Sequence, residues 1–198
     1  MLLARRLPLS ILALFTTALI ASAADKEPVV LEVGDEAPEF TVKDDEGEDW
    51  NSEGHYGEKI VVVYFYPADM TGGCTKQACA FRDDLSKLED EDVEVVGVSG
   101  DSVRNHQLFK KVYDLNFALL ADEKGEVAEK FGVPYTLGEE SIEREIDGQL
   151  EVFTRTATIK RWTFVIDLDG RIAMKNDKVK AAEDSQAILE FIEELKQK

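Results

Sequence analysis

This sequence contains very few of the residues that bind metals or build disulfide frameworks. Among its 198 residues there are only two cysteines, Cys74 and Cys79, and two histidines, His55 and His106. A disulfide-built secreted domain needs more cysteines, and a zinc site needs a denser group of ligands. The five-residue spacing of the cysteines is also too wide for a CxxC redox motif. The pair is therefore either one structural disulfide or two thiols that react.

Positive charge is also scarce. Lysine and arginine number 23 against 41 aspartates and glutamates, so the formal net charge is −18. A field this negative argues against nucleic acid or an anionic membrane surface as a partner. The acidic residues are spread along the chain with no basic block among them, and we interpret the charge mainly as a contribution to solubility.

A hydrophobic run long enough for a comfortable membrane span is missing as well. The apolar run at residues 7–20 is short, follows the basic start MLLARR and precedes the small residues Ala21-Ser22-Ala23. We predict a signal peptide over residues 1–23, used by the general secretory route, and one domain over residues 24–198. Cleavage would leave 21 basic and 41 acidic residues, a charge of −20. The expected location is periplasmic or secreted, and retention as an uncleaved anchor is the alternative.

The remaining chain alternates between strand and helix patterns. The apolar runs at residues 60–66 and 93–99 predict strands buried on both faces. Residues 74–90 between them predict a helix, whose inward face consists of Ala78, Phe81, Leu85 and Leu88. A second helix is expected at residues 102–114, with Leu108, Phe109 and Val112 inward.

The second half of the chain continues the alternation. FALLAD predicts a short strand, GEVAEKFG a short helix, and residues 181–195 a final helix. The segment WTFVIDLDGRIAMK predicts two strands joined around Asp169-Gly170. Residues 135–160 fit less well, and a second hairpin around Asp147-Gly148 is one interpretation of them. These patterns predict an α/β fold, with a mixed central sheet flanked by helices in a single domain.

The turn before Cys74 favours a reactive thiolate. Pro67 follows directly on a buried strand, so the chain leaves the sheet there. Thr71-Gly72-Gly73 then leads to Cys74 in the first helical turn, where unpaired backbone N–H groups and the helix dipole favour negative charge. The Thr71 hydroxyl is expected to reach the sulfur or an incoming oxygen. We interpret Cys74 as a nucleophile and not as a buried structural cysteine.

The spacing of the two cysteines limits how they can pair. On an intact helix, residues five apart have Cα atoms roughly 8.6 Å apart. A disulfide needs about 4.4–6.8 Å between Cα atoms. The two sulfurs can therefore join only if the start of the helix unwinds. This geometry favours a pair that reacts in turn over a static disulfide.

Several separated segments resemble one protein family. The segment PADMTGGC matches the peroxiredoxin signature Pro-x-x-x-Thr/Ser-x-x-Cys, and a second cysteine five residues later resembles the bacterioferritin-comigratory, or Q-type, subfamily. The resemblance covers the chain from about Val33 to the C-terminus, in order. The other segments that support it are DMTGGCTKQACAFRD, VGDEAPEFTV and RWTFVID.

The resemblance implies a thioredoxin-like fold and a thiol peroxidase. Cys74 would be the peroxidatic cysteine, Cys79 the resolving cysteine, Pro67 a shield for the site, Thr71 the group that orients the peroxide, and Arg161 the cation that stabilises the thiolate. The enzyme would reduce hydrogen peroxide and organic hydroperoxides as an antioxidant, through a sulfenic acid and an intramolecular disulfide. It would use no cofactor or metal. Its partner would be a thioredoxin-like or other dithiol reductant, and it would be a monomer or weak dimer.

Arg161 also makes sense without the resemblance. In a protein with so much negative charge, a thiolate needs a local cation, and a guanidinium group does not lose its proton. One residue departs from the subfamily pattern: Gly72 stands where proline is usual. Glycine there should loosen the loop before Cys74.

Three other functions remain open on the sequence alone. A thioredoxin-like disulfide oxidoreductase would have a CxxC motif and a proline before the later strand, where this chain has Arg161-Trp162. A copper-carrier-like binding module would use both cysteines and a histidine, but we expect His55 and His106 to lie on the surface. A Cys-His hydrolase would need one of these histidines as a base beside the cysteine.

Overall fold

The computed structural model describes residues 28–197 of the chain. The predicted signal peptide lies outside the described residues. Within residues 28–197, no helix combines the length and apolar character needed to cross a bilayer. In chain order the elements are β1 (Thr41–Lys43), β2 (Asp49–Asn51), a 3-10 turn (Ser52–Gly54), β3 (Ile60–Phe65), α1 (Gly72–Asp90), β4 (Val93–Ser99), α2 (Val103–Tyr113), β5 (Ala118–Ala121), α3 (Glu126–Lys130), β6 (Tyr135–Ile146), β7 (Gln149–Ile159), β8 (Trp162–Ile166), β9 (Ile172–Asn176) and α4 (Asp184–Leu195).

The central sheet has five strands in the order β5-β4-β3-β8-β9. Strands β3, β4 and β5 are parallel, whereas β8 is antiparallel to β3 and β9 is antiparallel to β8. All six residues of β3 are buried, as the unbroken apolar run predicts for a strand covered on both faces. The predicted hairpin around Asp169-Gly170 joins β8 to β9. The mixed α/β fold is confirmed.

The side chains of β3 alternate between two separate hydrophobic clusters. Tyr64 belongs to the cluster that packs under α1 and α4, whereas Phe65 belongs to the one that packs under α3 and the entry segment. The predicted inward face of α1 is confirmed, since its four residues are all buried. The prediction for α2 was wrong at Val112, which is 37% exposed, because the buried face of the helix consists of Asn105, His106 and Phe109.

Strands β6 and β7 form a long two-stranded hairpin outside the central sheet. Its turn is Asp147-Gly148, where both residues have positive φ (53° and 78°), so the interpretation of this region as a hairpin is confirmed. The hairpin folds back onto the domain, with Phe153 of β7 only 1% exposed. Ile142 and Ile146 of β6 pack against the cluster under α1. The hairpin thus packs against the same hydrophobic cluster as α1.

Candidate active site

Cys74 is the third residue of α1 and is almost fully buried. Helix α1 begins at Gly72, with Thr71 as its extended N-cap residue, so the predicted position of Cys74 in the first turn is confirmed. The side chain is 2% exposed, and its thiol is free. Cys79 lies about 1.4 turns further along the same unbroken helix, is half-buried and is also free. The two thiols therefore share one rigid element in this state.

Arg161 provides the cation beside the sulfur. Its Nη2 atom donates a hydrogen bond to Cys74 Sγ at 3.1 Å. The contact follows from the antiparallel pairing of β8 with β3, in which Trp162 lies opposite Phe65. This register places the residue just before β8 next to the loop that follows β3. The sheet thus brings together two groups that are 87 residues apart in the sequence.

A chain of buried polar side chains orients Arg161, and the sequence did not reveal it. Arg161 Nη1 donates to Oε1 of Gln77, which is fully buried one turn after Cys74. Gln77 Nε2 donates to Asp184 Oδ2 at 2.7 Å, and Thr163 Oγ1 donates to the same oxygen at 2.8 Å. Burial raises the pKa of Asp184, whereas these two hydrogen bonds and Arg161 oppose the rise. A polar residue on the apolar face of α1 was the one available signal for Gln77.

The loop from Pro67 to Thr71 is held by many hydrogen bonds. Asp69 accepts a hydrogen bond from the Tyr66 hydroxyl at 2.7 Å, and its backbone N–H donates to Asp101 at 2.9 Å. Thr71 Oγ1 donates to the Ala68 carbonyl at 3.0 Å and not to the sulfur. The Thr71 hydroxyl proton is thus committed within the loop. Its oxygen still has lone-pair capacity to accept a hydrogen bond from a peroxide.

Gly72 is not required by the backbone of this loop. Its φ is not positive, and an added Cβ would meet no atom within 4 Å. Gly72 is the first residue of α1, a position at which proline is favoured. Glycine here therefore widens the unfolded ensemble of the loop without easing the folded conformation.

The prediction of a surface position for His106 was wrong, because Asp69 gives this ring a buried partner. His106 is fully buried, and its Nδ1 atom lies 2.8 Å from Asp69 Oδ2. Burial alone would lower the pKa of His106. The Asp69 carboxylate outweighs that effect and raises the pKa, with smaller contributions from Asp101 and the Leu120 carbonyl. Through its contact with Asp69, His106 therefore helps to hold the loop before Cys74 in place.

Neither histidine is paired with a cysteine. His55 Nδ1 lies 2.8 Å from Glu94 Oε2, and its ring stacks on Trp50 at 4.3 Å. His106 is engaged by Asp69. Within residues 28–197, no group of three or more histidine, cysteine, aspartate or glutamate side chains is arranged to hold a metal ion. The two histidines thus give no support to the copper-carrier or hydrolase alternatives.

Comparison with known proteins gives a consistent set of relatives. The model of the AhpC/TSA family matches residues 33–175. A putative peroxiredoxin bcp from Coxiella burnetii is 43% identical over 150 residues, which is 76% of this chain and 91% of that protein. The chloroplastic peroxiredoxin Q of Sedum lineare is 53% identical over 104 residues, which is 52% of this chain and 55% of that protein. The alignment with the plant protein thus spans about half of each chain.

Solved structures of similar proteins share the fold. The crystal structure of peroxidoxin BcpB from Mycobacterium tuberculosis has a TM-score of 0.69 and 30% identity, and the match covers 84% of this chain and 99% of that one. Peroxiredoxin Q from Xanthomonas campestris has a TM-score of 0.66 and 27% identity, with 83% and 96% covered. These matches extend over nearly the whole of both solved chains.

The raised pKa of His106 leads to a pH-dependent contribution to stability. Because the folded state holds the His106 proton more tightly than the unfolded state, the contribution is fully present below a pH of about 6.5 and is lost as pH rises through the raised value. We expect His106→Gln to lower the free energy of unfolding by ~3 kcal/mol near pH 6, with a smaller deficit towards pH 9.

Urea denaturation of the reduced wild-type and His106→Gln proteins between pH 6 and 9 measures this difference. His55→Gln is the matched control, since His55 is only partly buried and lies outside the loop support. The pKa of Tyr66 is raised well above its usual range by burial, so this neighbour does not titrate in the window. A deficit that is constant or that grows with pH would contradict the assignment of a raised pKa to His106.

Proposed function

Because the chain belongs to the AhpC/TSA family and is a thiol-dependent peroxidase of the peroxiredoxin type, we propose that Cys74 is its peroxidatic nucleophile and Cys79 its resolving cysteine. The observation that supports this most strongly is the hydrogen bond from Arg161 to the Cys74 sulfur at 3.1 Å. A guanidinium group at this distance is a permanent counter-charge for a thiolate in a buried site.

The first step transfers one oxygen from the peroxide to sulfur. The Cys74 thiolate attacks the terminal oxygen of a hydroperoxide ROOH, an S–O bond forms and the O–O bond breaks. Sulfur is oxidised by two electrons to the sulfenic acid, and the leaving RO⁻ takes up a proton to become ROH. Arg161 is placed to stabilise the negative charge as it moves from sulfur to the leaving oxygen. The chain through Gln77 and Asp184 keeps the guanidinium in that orientation.

The second step forms a disulfide within the chain. The thiol of Cys79 condenses with the Cys74 sulfenic acid, an S–S bond forms and water leaves. Because both residues lie on the unbroken helix α1, their Cα atoms are too far apart for this bond, and the first turns of α1 must unwind. An external dithiol then reduces the disulfide by thiol–disulfide exchange and is itself oxidised. The substrate class is hydrogen peroxide and organic hydroperoxides, and the reductant a thioredoxin-like or other dithiol.

Removal of the nucleophile or of its cation tests the first step. Cys74→Ser is expected to abolish peroxide consumption. Arg161→Ala is expected to slow the oxidation of Cys74 by about 100-fold or more, because the charge that develops on oxygen loses its preorganised donor. Arg161→Lys should recover only part of the rate, since an ammonium group cannot contact both Cys74 and Gln77 in the same way.

Stopped-flow measurement of the first oxidation step provides these rate constants. Arg171→Ala is a suitable control, because Arg171 is an exposed arginine that donates to the Gly34 carbonyl away from the site. Peroxide turnover retained in Cys74→Ser would place the chemistry on another residue. An unchanged first step in Arg161→Ala would remove Arg161 from the site.

Substitution of the second cysteine separates resolution from oxidation. Cys79→Ser is expected to keep the rate constant of the first step, because Cys79 lies further along α1 than the contact between Arg161 and Cys74. Its sulfenic acid should persist and, under excess peroxide, advance to the sulfinic acid, since no thiol condenses with it. Mass spectrometry of the Cys74 peptide after one and after ten equivalents of peroxide distinguishes these species. A wild-type protein that forms a Cys74–Cys74 or Cys74–Cys79 bridge between two chains after one equivalent of peroxide would contradict resolution within one chain.

A further inference from the structure

The β6–β7 hairpin lies against the loop that leads into the active site. Arg144 of β6 donates a hydrogen bond from Nε to the backbone carbonyl of Met70 at 3.0 Å. Ile142 and Ile146 stand on the same face of β6 as Arg144, because side chains two apart share a face of a strand. Both pack against the hydrophobic cluster that contains Met70 and Cys74. One face of β6 thus covers the segment immediately before α1.

Met70 is held in a conformation that its side chain disfavours. Its φ is +58°, in the left-handed region, where residues other than glycine are rarely found. The side chain is buried, with 6% exposed, and the carbonyl accepts the hydrogen bond from Arg144. Such a backbone persists only where the surrounding contacts maintain it. If the start of α1 unwound, the backbone of Met70 could leave the left-handed region. The hydrogen bond from Arg144 and the burial of the Met70 side chain therefore oppose an unwinding that the Met70 backbone favours.

The Arg144 side chain is preorganised for its hydrogen bond to the Met70 carbonyl. Its Nη1 atom donates to the Glu143 carbonyl at 2.7 Å, which fixes the plane of the guanidinium group on its own strand. The side chain is partly buried between the hairpin and the loop. A hydrogen bond from a charged donor to a carbonyl is stronger than one between neutral groups, so its loss is measurable.

We propose that Arg144 is a positioning residue that holds the loop before Cys74 closed, so that the β6–β7 hairpin sets how readily the start of α1 unwinds. This rests on the proposed function, in which Cys74 reacts with peroxide in the closed state and with Cys79 in the unwound state. The hydrogen bond to Met70 exists only while the loop is closed. It therefore favours the closed state, in which Cys74 reacts with peroxide. It also slows the transition to the unwound state, in which Cys74 reacts with Cys79.

The hairpin has other anchors, so the loss of Arg144 leaves it in place. Arg104 Nη2 donates to Glu151 at 2.5 Å, and Asn105 Nδ2 donates to the Thr154 carbonyl at 2.9 Å. Phe153 stays buried in the core. The Arg144→Ala protein is accordingly expected to fold and to keep the Arg161–Cys74 contact.

The consequence for the reaction is a change in how the sulfenic acid is partitioned. In the closed state a second ROOH can oxidise the sulfenic acid to the sulfinic acid, with ROH as the other product. In the unwound state Cys79 converts it to the disulfide. Without Arg144 the unwound state is more populated, so the disulfide should gain over the sulfinic acid.

Amide hydrogen exchange of the reduced protein tests the proposal without any peroxide chemistry. We expect Arg144→Ala to speed exchange over residues 72–79 by about tenfold, the effect of losing one charge-assisted hydrogen bond. Arg144→Lys, which retains a donor, should lie close to wild type. Glu145→Gln is the matched control, because Glu145 is the exposed neighbour on the opposite face of β6.

An Arg144→Ala protein that exchanges residues 72–79 no faster than Glu145→Gln would overturn the proposal. So would faster exchange spread evenly over the domain, which would indicate a general loss of stability. The second measurement is the peroxide concentration at which half of Cys74 becomes sulfinic acid, which should rise about tenfold in Arg144→Ala; an unchanged value would also overturn it. Peroxide consumption by the wild-type protein, measured alongside, reports separately on the proposed function.

Discussion

The contact between Arg161 and the Cys74 sulfur depends on the antiparallel pairing of β8 with β3. That pairing places a guanidinium group, which stays charged, 3.1 Å from a sulfur buried in a strongly acidic protein. The remaining polar groups of the site serve this contact. Gln77 hydrogen-bonds to both Arg161 and Asp184 and so orients the guanidinium group. The hydrogen-bonded loop before Thr71 fixes where α1 begins. The central sheet therefore positions Arg161, and the start of α1 positions Cys74.

The same arrangement creates two opposing demands on that helix start. In the proposed mechanism, oxidation of Cys74 needs the closed turn beside Arg161, whereas the disulfide with Cys79 needs this turn to unwind. The structure contains features that act in each direction. The Asp69–His106 pair and Arg144 hold the loop, while Gly72 and the left-handed Met70 lower the cost of leaving it. The balance between these groups would set how much of the Cys74 sulfenic acid becomes the disulfide and how much becomes the sulfinic acid.

Local patterns in the sequence predicted most elements of the fold, but not the contacts that couple them. The run at β3, the apolar face of α1 and the turn at Asp147-Gly148 follow from periodicity and turn chemistry, which are properties of neighbouring residues. The burial of His106, the pair Gln77–Asp184 and the contact Arg144–Met70 each join residues 37 to 107 positions apart. Apart from the polar Gln77 on the apolar face of α1, their local sequence does not mark them, because the tertiary fold brings them together. Val112 was misplaced for a related reason, since the orientation of α2 depends on what it packs against.

In the proposed mechanism, the start of α1 unwinds when Cys74 joins Cys79 in one chain. Amide hydrogen exchange of the wild-type protein, compared before and after oxidation with one equivalent of peroxide, tests it most directly. Peptide mass mapping of the same sample identifies the disulfide. We expect an intramolecular Cys74–Cys79 bond, with amide exchange faster across residues 72–79 and unchanged in the central sheet. An intramolecular bond in a chain whose residues 72–79 remain as protected as in the reduced protein would contradict it.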